Sequence, residues 1–101
     1  MTPKFTPPLE EEDAVDQARL LSALASPTRL RILSLLSRHE GEICVYEITE
    51  CFTLEQPTIS NHLRILRDAG LITCHKKGLF YYYYVQQKTL ERAKQIIEDL
   101  I

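Results

Sequence analysis

Apolar residues recur along the chain at two periods. From Glu10 to about Ala25, positions Ala14, Ala18, Leu21 and Ala25 repeat at helical spacing, with Val15 and Leu24 beside them, and predict a first helix. Its acids fall in the first turn, where the helix dipole favours them. Ser26-Pro27 restarts the chain, because serine is a preferred N-cap and proline a preferred first helical residue. A second helix is predicted from there to about Arg38, with Leu30, Leu33 and Leu36 as its buried stripe, helped by Ile32 and Leu35, and Gly41 ends the segment. A third, shorter helix covers roughly Val45 to Phe52, with either Val45, Ile48 and Phe52 or Ile48 and Cys51 facing inward. After a tight turn at Thr53 to Glu55, a fourth helix starts near Gln56-Pro57 and stops at Gly70.

Beyond Gly70 the period changes from 3.6 to 2. Leu71 to His75 and Phe80 to Val85 are rich in aromatic and β-branched residues, with Lys76 to Leu79 between them, and this predicts a hairpin. Phe80, Tyr82 and Tyr84 share one strand face and Tyr81 and Tyr83 the other, so one set packs on the domain. A closing helix from Lys88 to Ile101 aligns Leu90, Ala93, Ile97 and Leu100, widened by Ile96 and Ile101. The fold class is mainly α with a β-hairpin, in the order α-α-α-α-β-β-α. Two short helices joined by a tight turn and followed by a hairpin wing describe a winged helix-turn-helix.

On a helical wheel, Ile59, Leu63 and Leu66 of the fourth helix lie within about 60° of one another. Pro57, Asn61 and Arg64 fall opposite, with Ser60 at the edge of that face. Short hydroxyl, amide and guanidinium groups near the N-terminal end of an outward helix face are those that bond base edges and phosphates. The candidate DNA contacts are Gln56, Thr58, Ser60, Asn61, His62 and Arg64, together with Lys76 and Lys77 at the hairpin.

Net charge, −2, runs against a nucleic-acid binder until its distribution is considered. Five acids (Glu10, Glu11, Glu12, Asp13, Asp16) cluster at the start, whereas residues 56–78 hold Arg64, Arg67, Lys76 and Lys77 against Asp68 alone. Phosphate attraction is screened beyond roughly 8 Å, so the local balance matters more than the mean. With 45% hydrophobic and 26% charged residues, the chain has the makeup of one globular domain over 10–101, preceded by a flexible Pro-rich arm over 1–9. No apolar run is long enough for a membrane span, and Cys44, Cys51 and Cys74 in a chain without an export signal favour a reduced, cytoplasmic setting. No phosphate loop, carboxylate pair or nucleophile–base arrangement supports an enzyme.

Glu42 to Ile48, the Gln56-Pro57-Thr58-Ile59-Ser60 block running on to Ile72, and Ala25 to Leu33 together resemble the ArsR/SmtB family of bacterial metal-responsive repressors. The resemblance spans about residues 15 to 100. It implies a homodimer paired through the first and last helices, bound to a palindromic double-stranded operator and released by an inducer. The first and last helices each carry an apolar stripe, which agrees with that pairing unless both stripes are buried inside one subunit.

The family's thiol site uses a Cys-x-Cys pair at the start of the third helix, often with a further cysteine one turn on. Here Cys44 matches the first position, but Tyr46 and Thr49 stand at the others. The last helix has no histidine and the arm no cysteine, which removes the family's other donor sets. Cys44, Cys51 and Cys74 remain open between packing, thiol sensing and a soft metal or metalloid site. Family wings often carry a polar or basic residue after the turn glycine, where this chain has Leu79 and Phe80. A winged-helix protein-interaction module without specific DNA binding is the competing reading.

Overall fold

A computed structural model describes residues 4–101; the first three residues of the expected arm lie outside the described residues. The elements are α1 (Glu11–Leu24), α2 (Pro27–Arg38), α3 (Val45–Glu50), α4 (Gln56–Asp68), β1 (Ile72–Lys77), β2 (Phe80–Val85) and α5 (Gln87–Glu98), in the expected order. Local chemistry explains the boundaries. The Ser26 hydroxyl accepts from the Arg29 backbone N–H at 3.3 Å and Pro27 opens α2. At α3, the Glu47 carboxylate reaches back to accept from the Cys44 N–H at 3.1 Å. The end of α4 is closed by Gly70 at φ 74, with Gly70 N–H donating to Arg67 O and Leu71 N–H to Leu66 O, both at 2.9 Å. That paired Schellman closure turns the chain out of α4 and directly into β1.

Ile32, Leu36, Ile48, Ile59, Leu66 and Leu71 are fully buried and form the centre of the core. Ile59, Leu63 and Leu66 face inward as their spacing predicts. The α2 stripe differs from expectation: Ile32, Leu33 and Leu36 are buried, but Leu30 is 52% exposed. Steps of three residues fall short of a full turn by about 60°, so Leu30 lies about 120° around the helix from Leu36. In α3, Ile48 is buried with Val45 and Phe52 packed at the core edge, whereas Cys51 is exposed.

The outer helices depart further from their sequence stripes. Leu20 and Ala23 are the buried residues of α1, and Ala93 and Ile96 those of α5. Ala18 and Ala25 are exposed, as are Ile97, Leu100 and Ile101. Leu21 and Leu24 of α1 and Leu90 of α5 pack at the core edge, and most of the rest of each apolar stripe stays exposed. An exposed ion pair between Asp16 and Arg92 joins the two helices.

β1 and β2 pair antiparallel from Ile72↔Val85 to Lys77↔Phe80. Lys76 and Lys77 belong to β1 rather than to the connection, which is only Gly78-Leu79. Glycine at the first loop position, φ 64, supplies the turn that a two-residue hairpin needs. Tyr83 and Val85 enter the core, while Tyr81 on the same strand face is exposed because it stands farther out towards the turn. The opposite edge of β2 is also paired. Gly41 N–H donates to Tyr83 O at 3.1 Å and Tyr83 N–H to Ile43 O at 3.4 Å, with a bridge at Cys44↔Tyr82. Gly41 thus does more than end a helical segment: it ties the wing to the body.

Candidate nucleic-acid interface

The outward face of α4 gathers the short polar residues. Thr58, Ser60, Asn61 and Arg64 are exposed, and Gln56 is half-buried at the first turn. Arg64 lies along the helix, its guanidinium donating to Asn61 Oδ1 at 2.8 Å and to Asp68 Oδ2 at 3.1 Å. Both partners of the Arg64–Asp68 pair are exposed, and such pairs contribute at most about 1 kcal/mol. The guanidinium can therefore exchange these acceptors for a phosphate or base edge at little cost, while remaining oriented on the outer face.

His62 stands apart from this set. Its Nδ1 is 3.2 Å from the Arg29 guanidinium, and burial, followed by the Arg29 charge, lowers its pKa below 6.5. Arg29 is itself anchored, donating from Nε to Ala23 O at 2.6 Å and from a terminal nitrogen to Ser22 O at 3.2 Å. The three contacts join the end of α1, the start of α2 and the middle of α4. Sequence reading gave Arg29 no role. The available signal was the wheel, where His62 lies only about 60° from Ile59 and so beside the buried seam.

The two wing lysines also separate. Lys76 is exposed. Lys77 folds back, donating from Nζ to Gly41 O at 3.3 Å and standing 5.6 and 5.7 Å from the ring centres of Tyr82 and Tyr84. At the tip Leu79 is 87% exposed, and Phe80 meets Tyr46 of α3 edge-on at 6.0 Å.

The cysteines are not brought together. Cys44 is buried at the start of α3, Cys51 is exposed at its end, and Cys74 is half-buried in β1. Cys44 and Cys74 flank β2 on opposite edges, opposite Tyr82 and Tyr83. Two strand spacings separate their backbones by roughly 9–10 Å, beyond the reach of a disulfide. At the remaining thiol-site positions, Tyr46 packs against Phe80 and Thr49 spends its hydroxyl on Val45 O at 2.7 Å. Among the described residues no three His, Cys, Asp or Glu side chains gather closely enough to hold a metal ion. Within one chain the three thiols therefore do not gather into a site for a soft metal or metalloid ion. Nor is any helix among the described residues long and apolar enough to cross a membrane.

Residues 26–73 match the family described as bacterial regulatory protein, arsR family. The chain is 36% identical over 83 residues to an uncharacterized HTH-type transcriptional regulator of Methanocaldococcus jannaschii, covering 82% of this chain and 92% of that protein. It is 45% identical over 82 residues to the arsenic resistance transcriptional regulator of Pseudomonas putida, covering 81% of this chain but 63% of the relative. Among solved structures, the homodimeric winged helix-turn-helix DNA-binding domain of a possible ArsR-family regulator from Mycobacterium bovis superposes with a TM-score of 0.69 at 30% identity, covering 93% of this chain and 91% of that one. The α3–turn–α4 unit, its hairpin wing and these relatives agree: the chain belongs to the ArsR family of bacterial transcriptional regulators.

Proposed function

We propose that the chain acts in the cytoplasm as a homodimeric repressor that reads a palindromic operator through the outer face of α4. The observation that carries this reading is the separation on α4 of a buried apolar seam from an exposed face bearing Thr58, Ser60, Asn61 and Arg64. Gln56 borders that face, and Lys76 adds a free cation on the wing. His62, half-buried, is held by Arg29, and the exposed Lys77 by Gly41 O. Two-fold pairing through α1 and α5 uses the apolar residues left outside the subunit, among them Ala18, Ala25, Ile97 and Leu100. It sets two α4 helices about one DNA turn apart, which demands a palindromic site.

Release from DNA by a thiol-reactive species would act first at Cys51, the exposed thiol. The Pseudomonas relative is named for arsenic resistance, but a soft ion needs about three or four donors and meets isolated thiols here. Selection of purified protein on random duplexes tests the reading. Enrichment of an inverted repeat is expected. Recovery of no preferred sequence would favour the protein-interaction reading, for which the exposed Leu79, Phe80 and Tyr81 speak.

A further inference from the structure

We propose that Arg29 is a positioning residue for DNA reading: it locks the pairing helix α1 to the reading helix α4, and so sets the separation at which the two α4 helices of a dimer meet their half-sites. The inference rests on the homodimeric reading above and names what fixes its geometry. α1 passes to α2 through Ala25 and Ser26 alone, and its buried residues are Leu20 and Ala23. Apolar contact is non-directional, so a seam this narrow lets the helix slide or roll on the body of the subunit. The last turn of α1 also has no basic residue of its own to answer its free carbonyls. Arg29 answers them from α2, donating from Nε to Ala23 O at 2.6 Å and from a terminal nitrogen to Ser22 O at 3.2 Å. That places a cation at the negative end of the α1 dipole.

The remaining guanidinium nitrogen reaches α4. A guanidinium only donates, so His62 Nδ1, 3.2 Å away, is the acceptor and the ring proton sits on Nε2. Burial and the Arg29 charge lower the pKa of His62, which keeps the ring neutral and able to accept at neutral pH. Among the described residues this is the one side-chain hydrogen bond from α4 to another helix, since Arg64 bonds only within α4. The planar guanidinium fixes the directions of its three bonds together, so the two α1 carbonyls and the α4 ring are held in one arrangement. Pairing holds α1 and base reading uses α4, so the relation between them is the relation between dimer and operator. One base pair more or less between half-sites shifts them by about 3.4 Å and turns them by about 34°. To follow, a subunit must move α1 against α4 and break the Arg29 bonds.

Spacing tolerance tests the proposal, because a residue that only stabilises the fold would not change it. The inverted repeat selected by the full chain is titrated at pH 7.5 beside versions with one central base pair inserted or removed. The natural protein is expected to lose at least about thirtyfold in affinity for the altered spacings, since charge-assisted bonds break in each subunit. Arg29→Met, compared where its circular dichroism and sedimentation match the natural protein, is expected to select the same half-site bases but to lose no more than about fivefold. His62→Leu leaves the Arg29 bonds to α1 in place and removes the α4 acceptor, and it too relaxes the spacing. His62→Asn, whose amide oxygen can stand where Nδ1 stood, restores the discrimination. Should Arg29→Met fail to fold or to pair, the contrast between His62→Leu and His62→Asn decides. Spacing losses as large in Arg29→Met and His62→Leu as in the natural protein, or no recovery in His62→Asn, overturn this proposal and leave the operator reading standing. A natural protein that tolerates the altered spacings overturns it as well. Selection of no inverted repeat refutes the operator reading itself, and this proposal with it.

Discussion

Replacing Gly41 by alanine perturbs the point where the wing is tied to the helical body. Gly41 has φ 69, a left-handed conformation that costs a residue with a Cβ about 1–2 kcal/mol. A Cβ built there lies 2.5 Å from Cε1, Cζ and Oη of Tyr84. Tyr84 cannot yield freely, because His75 packs against its ring at 5.2 Å and the Lys77 ammonium stands 5.7 Å away. Displacing a packed ring costs roughly a further 1–3 kcal/mol, giving a total of about 2–5 kcal/mol. Since a domain of this size gains only about 5–15 kcal/mol on folding, the melting temperature should fall by about 10 °C or more at fixed protein concentration. Urea denaturation of Gly41→Ala in the natural background and in Tyr84→Ala separates the two contributions. In the second background only the backbone cost of about 1–2 kcal/mol remains. The reasoning is refuted by an equal cost in both backgrounds, or by a loss below about 0.5 kcal/mol in the first.

Arg64→Ala should weaken operator binding by about 1–3 kcal/mol in an anisotropy titration while leaving the melting curve unchanged, because its partners Asn61 and Asp68 are exposed. Lys76→Ala removes one cation from each of the two wings and should lower the salt dependence of DNA binding by about two units of slope. Lys77→Ala should leave that slope alone and instead cost about 1 kcal/mol of stability, measured by urea melting, since its ammonium is committed to Gly41 O and two rings. Because burial and Arg29 lower the folded pKa of His62, the unfolded chain takes up this proton first as pH falls. The His62 contribution to stability is complete above about pH 6.5 and is lost as pH drops through the folded value; His62→Gln should flatten that part of the pH–stability curve. Ellman's reagent should modify exposed Cys51 first and buried Cys44 last, and simultaneous reaction of all three thiols would contradict the packing.

Period and punctuation made most of the fold readable. Ser26-Pro27, Gly70 and the aromatic run from Phe80 each act within a few residues, so local chemistry reveals them. The same holds for the α4 wheel, where three apolar residues leave a narrow polar face opposite. What stayed hidden depends on long-range placement. Arg29 reaches His62 across 33 positions and Lys77 reaches Gly41 across 36, and no spacing rule registers such pairs. Leu30 misled because threefold spacing drifts around a helix. The stripes of α1 and α5 were visible, but only packing distinguishes the residues buried on the core from those left exposed.

The central claim is tested most directly by titrating a palindromic operator and a scrambled duplex at about 50 and 200 mM salt, with Arg64→Ala measured alongside. Neutralisation of phosphates by two α4 faces and two wings predicts a loss of affinity of at least about a hundredfold between the two salt concentrations. It also predicts a clear preference for the palindrome that Arg64→Ala reduces. Salt-insensitive binding, or equal affinity for both duplexes in the natural protein, would contradict the account.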